Sequence, residues 1–164
     1  MPASDRQHTL AKPASLTGTS LHTGEQVTLT LQPAPDNYGI KFRRIDLEDK
    51  PFIPALVEKV QKVERATTVE MDPNEPPIAD GSALPFVELI QKAGLQEQTE
   101  LRKVFEIREP IYQETRDGSI LTIVPDKKFR ISCTNVGPNG RFTQFQSLEI
   151  NPETFQREIA PART

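Results

Sequence analysis

Residues 26–31 read Gln-Val-Thr-Leu-Thr-Leu, and this strict alternation dictates a β-strand with two unlike faces. Successive strand side chains project to opposite sides, so Val27, Leu29 and Leu31 share one face and Thr28 and Thr30 the other. The apolar face demands a cover. Residues 9–16 and 39–45 are predicted as further strands, with short extended runs around Ile53 and between Val60 and Val63. Residues 17–24 and 33–37 are the links between them. The chain holds 15 prolines, several of them, such as Pro33, Pro35, Pro51 and Pro54, placed where elements should stop.

The apolar period changes from two to three and four after Ser82. Phe86, Leu89, Ile90 and Ala93 recur at helical spacing and form one face. Asp80, Gly81 and Ser82 precede them as capping groups, Pro85 falls in the first turn, and Gly94 suits a left-handed terminus. Residues 95–100 are polar and read as a linker. A second set of strands follows at 103–115, 119–124, 129–134 and 141–150, with Arg116-Asp117-Gly118 as a hairpin turn. In the last of these Phe142, Phe145 and Leu148 carry the apolar load. Asn151 then caps a second helix with Pro152 at its first position, running through Phe155 and Ile159 towards Pro161. The expected fold is α+β in two similar units, residues 1–98 and 99–164. One short helix per sheet is thin cover, so either the units share a core or something is missing.

Composition removes several function classes. The net charge is −3 with acidic and basic residues interleaved, which leaves no basic stripe for nucleic acid. The basic spots Arg43-Arg44 and Lys127-Lys128-Arg130 read as solvated strand ends or as contacts to an anionic substrate. One cysteine, Cys133, excludes an internal disulfide; it lies in an alternating run and reads as a small buried hydrophobe rather than a nucleophile. No apolar run approaches a transmembrane span, and residues 1–12 lack a signal-peptide core, so a cytoplasmic location is expected.

Three segments carry a family resemblance. Ser15-Leu16-Thr17-Gly18-Thr19-Ser20-Leu21-His22-Thr23-Gly24 resembles the Leu-Thr-Gly-x-Gly-Leu-His-Thr-Gly turn of the UDP-3-O-acyl-N-acetylglucosamine deacetylases, zinc hydrolases of lipid A biosynthesis; Ser20 replaces the second glycine. Asn74-Glu75-Pro76-Pro77-Ile78-Ala79-Asp80-Gly81-Ser82-Ala83-Leu84-Pro85-Phe86 is similar to their strand-to-helix segment. Residues 157–164, ending Ala-Pro-Ala-Arg-Thr, resemble the approach to their Ala-Arg-Thr-Phe-Gly-Phe. The resemblance implies two α+β units with the active site between them.

It also implies a zinc-bound water attacking the acetamide of UDP-3-O-acyl-N-acetylglucosamine. Such a site needs about three protein ligands and one open position. The family draws its ligands from a Thr-Val-Glu-His segment, whose glutamate is the general base, and from a His-Lys-x-x-x-Asp helix. This sequence has only His8 and His22, no Glu-His pair and no His-Lys-x-x-x-Asp. After Thr67-Thr68 it passes directly to Val69-Glu70-Met71-Asp72, which matches the strand preceding the Asp-Gly-Ser segment. The resemblance therefore implies that the first unit is shortened near Thr68/Val69 and has lost a helix, that the second is truncated, and that no metal ligand is present. In an alternative alignment Thr68-Val69-Glu70 begins the Thr-Val-Glu-His segment and Glu70 is the base. By resemblance Thr164 polarises the substrate carbonyl, Leu21 and His22 border the substrate pocket, Thr68 lies at the zinc-facing strand end, and Asp80 stands at the helix start. A partial deacetylase inactive alone is expected. A non-catalytic nucleotide-sugar-binding remnant and an assembly-competent half are the alternatives.

Overall fold

The computed structural model describes residues 5–50, 52–54, 67–72 and 75–163. The chain forms a mixed α+β structure that divides into two compact units, residues 1–103 with 160–164, and residues 104–159.

The first unit is built on a five-stranded sheet with order β2-β3-β6-β4-β5, comprising β2 (Ala14–Thr19), β3 (Gln26–Pro33), β4 (Ile40–Arg44), β5 (Phe52–Pro54) and β6 (Thr67–Met71). Neighbours are antiparallel except β4 and β6, which run parallel with Phe42 opposite Val69. The alternation in β3 acts as its sequence demands. Val27, Leu29 and Leu31 are buried, and Thr28 and Thr30 turn the other way, where Thr17 and Ser15 meet them through hydroxyl contacts of 3.1 and 2.8 Å.

Helix α1 (Leu84–Ala93) supplies the cover. Its Leu89 and Ala93 join Leu10, Leu29, Leu31 and Val69 in the core, with Phe86 and Ile90 packed at the margin. The capping differs from the sequence expectation. Ala83 is the N-cap and gives no side-chain bond, while Asp80 and Ser82 act one step earlier: Asp80 Oδ1 accepts from the Ser82 backbone and hydroxyl, and Ser82 Oγ accepts from Leu84 N. Gly94 closes the helix at φ 75°, ψ 161°, a region essentially reserved for glycine.

Two expectations are corrected here. Residues 9–16 form two strands, because β1 (Arg6–Leu10) ends before β2 begins. The polar stretch after Gly94 is strand β7 (Leu95–Leu101), antiparallel to β1 with Thr9 opposite Gln96. Its polar composition fits a two-stranded ribbon with little cover; Gln98 Nε2 donates to Ala34 O at 2.9 Å.

The second unit holds two antiparallel hairpins, β8 (Ile111–Glu114) with β9 (Ile120–Ile123) and β10 (Arg130–Asn135) with β11 (Gln144–Glu149). The Arg116-Asp117-Gly118 turn forms as expected, with Gly118 at φ 83°. Residues 103–110 stay outside any strand. Asn151 caps α2 (Pro152–Thr154) through reciprocal bonds with Thr154, and the chain continues as a short π-helix, Phe155–Ile159. No residue between 104 and 159 is buried. Two sequence readings fail for that reason. Cys133 is exposed, and Phe142 and Phe145 are 88% and 67% exposed rather than seated in a core. Alternation only marks a face for burial; without a layer on that face the side chains remain in water. The extended runs expected at 60–63 lie outside the described residues. No helix among the described residues is long and apolar enough to cross a membrane.

Candidate functional site

The loop between β2 and β3 is the best-constructed of the candidate regions. Ser20 N donates to Glu25 O at 2.9 Å, and Ser20 Oγ accepts from Glu25 N at 3.2 Å while bonding the Thr23 hydroxyl. Ser20 is buried and does not adopt positive φ, whereas Gly24 does, at 71°. The replacement of the family's second glycine therefore carries no backbone strain, and the added hydroxyl is satisfied inside the loop.

A second segment braces this loop from far along the chain. Ser20 and Pro77 form an antiparallel bridge, and Ile78 N donates to Thr19 O at 2.9 Å. Gly18 lies beneath, where an added Cβ would stand 3.1 Å from Pro77 Cβ. Glu75 takes hold of His22 at two points: its Oε2 accepts from the backbone N–H at 3.0 Å and its Oε1 lies 2.8 Å from imidazole Nδ1. The backbone N–H of His22, aided by the imidazole and against partial desolvation, holds the Glu75 carboxyl below the usual glutamate range. The outcome is a turn whose exposed tip carries Leu21, 62% exposed, and His22.

The remaining expected site residues lie elsewhere. Thr68 and Glu70 sit on β6, opposite Gln32 and Thr30 of β3. Thr68 is buried. Glu70 is engaged on both oxygens, with Oε1 3.2 Å from Arg43 Nη1 and Oε2 accepting from Gln32 Nε2 at 2.9 Å. Gln32 is six residues along β3 from Gln26, where the turn begins, which separates Thr68 from the turn by about 20 Å of strand. The structure therefore brings Leu21 and His22 together with Glu75, and does not bring Thr68 or Glu70 to them. Thr164 lies outside the described residues. Its neighbour Arg163 places Nη2 3.4 Å from Asp80 Oδ2. The Ser82 hydroxyl and backbone N–H, with Arg163 adding to them, hold Asp80 below the usual aspartate range.

The basic spots are largely committed to carboxylates: Arg43 to Glu70, Arg44 to Asp46, and Lys128 to Glu149 at 2.8 Å. Among the described residues the donors do not fit a catalytic zinc. His8 Nδ1 lies 3.1 Å from Arg6 O on β1, and His22 Nδ1 faces Glu75. Among the described residues no three His, Cys, Asp or Glu side chains are grouped to hold a metal.

Glu75 received no role from the sequence. Its signal was its place in the Asn74–Phe86 motif; its partner stands 53 residues away, a separation that no local pattern reveals.

Comparison with known proteins agrees with the residue-level resemblance. The family model described as LpxC, UDP-3-O-acyl N-acetylglycosamine deacetylase, matches residues 7–72 and 67–164. The UDP-3-O-acyl-N-acetylglucosamine deacetylase of Myxococcus xanthus is 40% identical over 192 aligned positions, covering 99% of this chain and 60% of that protein. The proteins of the same name from Syntrophotalea carbinolica and Chlamydia trachomatis are 34% and 33% identical, each over 96% of this chain and over 60% and 65% of their own lengths. The chain thus spans about three-fifths of the length of the curated relatives it matches. With the Leu21–His22 turn, the Glu75–Phe86 segment and nearly the whole chain matched in order, this protein belongs to the UDP-3-O-acyl-N-acetylglucosamine deacetylase family.

Proposed function

We propose that this chain carries part of the scaffold of a lipid A deacetylase and, as it stands, does not hydrolyse the acetamide of UDP-3-O-acyl-N-acetylglucosamine. The donor set carries this reading. A zinc hydrolase needs about three converging ligands, and the chain's only imidazoles are His8 and His22, which lie on separate elements and engage other partners. Glu70, the one candidate base, is held by Arg43 and Gln32 rather than turned to a water site. Shortening of the first unit near Thr68/Val69 accounts for the missing Glu-His pair. Two observations support it: the family model matches in two segments that overlap at residues 67–72, and the Myxococcus xanthus relative aligns over 192 positions against a chain of 164 residues, so it holds residues with no counterpart here. A cytoplasmic location belongs to the same reading.

The test is direct. The purified chain, supplied with zinc and UDP-3-O-acyl-N-acetylglucosamine, should release no acetate and retain no stoichiometric zinc after dialysis. Multiple turnovers with bound metal would refute the proposal. A second reading, non-catalytic binding of the sugar nucleotide, is favoured by the intact Leu21–His22 turn. Calorimetry with the same compound separates the two: saturable heat supports retained binding, and a flat titration removes it.

A further inference from the structure

The Glu75–His22 pair is built as a two-point clasp. One carboxylate accepts from the backbone and from the ring of the same residue, at 3.0 and 2.8 Å. A carboxylate has no proton to give when ionised, so the close ring nitrogen must be the donor. In the neutral imidazole the proton then sits on Nδ1 and the lone pair on Nε2. The ring itself is open to water, its side chain 77% exposed against 23% for Glu75. The Ser20–Pro77 bridge and the Ile78 N–H bond to Thr19 O hold the two segments together independently of this pair.

We infer that Glu75 is a positioning residue: it pins the Leu21–Gly24 turn and fixes His22 as the Nδ1–H tautomer, presenting an Nε2 lone pair at the surface. Such a nitrogen accepts from neutral hydroxyl or amide N–H donors and, unprotonated, offers nothing to an anion. This assignment goes beyond the functional reading above and stands whether or not the chain binds a sugar nucleotide.

Multiple-bond proton–nitrogen spectra at pH 8 test it, since the chain has only two histidines to resolve. His8, whose ring nitrogen contacts Arg6 O, is the internal reference. The native protein should show His22 protonated on Nδ1. Glu75→Ala should shift His22 to the Nε2–H form and speed exchange of its backbone amide roughly tenfold, as loss of a bond to a charged acceptor requires. Glu75→Gln keeps one carbonyl acceptor and should restore part of either property. An unchanged His8 signal in both variants shows that the unit still folds. A native His22 protonated on Nε2, or a tautomer and amide exchange rate that Glu75→Ala leaves untouched, would overturn the assignment.

Discussion

Replacing Leu29 by alanine tests the face assignment on which the first unit depends. Leu29 is 6% exposed, lies at the middle of β3 and belongs to the same core as Leu89 and Ala93 of α1. Leu→Ala substitutions in cores cost about 2–5 kcal/mol, depending on how well the site collapses. Leu16 and Met71, its partners across β2 and β6, are only partly buried, so they can move into the space. That places the expected loss in the lower half, about 2–3 kcal/mol. For a unit of roughly this size each kcal/mol lowers Tm by about 4–8 °C, so a drop of about 10–20 °C is expected. Thr30→Ala, one residue along and on the opposite face, loses only a hydroxyl contact to Ser15 and should cost about 0.5 kcal/mol or less. Far-UV circular dichroism follows both, since the chain has no tryptophan. Equal losses for the two variants would refute the reasoning, because the β3 faces would then not differ in burial.

Three further outcomes are expected. Gly94→Ala should cost about 1–3 kcal/mol through backbone strain at φ 75°, ψ 161°, and not through crowding, because the added Cβ meets Ala11 only at 3.5 Å; urea unfolding measures it. Asn151→Ala removes the bond that Asn151 Oδ1 accepts from Thr154 N at 2.9 Å, while the backbone N–H of residue 151 can still donate to the Thr154 hydroxyl, and should lower local helix stability by about 1 kcal/mol, read as faster amide exchange over residues 153–159. The Glu75 clasp contributes stability at neutral pH because its carboxyl titrates lower when folded; it should persist where an ordinary glutamate is already half protonated and fail as the pH falls through the lowered value. The His22 amide signal followed on acidification reports this, and loss of the bond above the ordinary glutamate range would contradict the sign.

Local periodicity carried some of these features and long-range pairing the others. The β3 alternation and the Phe86–Ala93 face were legible because each encodes its own burial side. Strand β7 was not, because Leu-Gln-Glu-Gln-Thr-Glu-Leu has no apolar face and becomes a strand only by pairing with β1 about ninety residues earlier in the chain. The single strand read at 9–16 failed on a break whose cause is likewise tertiary, since β1 and β2 join different sheets. Cys133 and Phe145 followed a correct strand assignment to a wrong burial, because the covering layer is not encoded in the strand that needs it. In the candidate site the turn at Leu21 and His22 was legible from its motif. Glu75, 53 residues distant, was not.

The position of β6 in the middle of the sheet has a kinetic consequence. β2 with β3, and β4 with β5, are each joined by short connections, and these pairs can form locally. They become one sheet only when β6 inserts between them, bringing Val69 opposite Leu31 and alongside Phe42. Pairing β6 with β3 joins residues 38 apart in sequence at Leu31 and Val69, a wider separation than in the other pairs of this sheet, so this docking step should govern the rate. Val69→Ala is then expected to slow refolding more than it speeds unfolding in stopped-flow experiments; the strand that arrives last in the sheet would be the one whose docking commits the chain to fold.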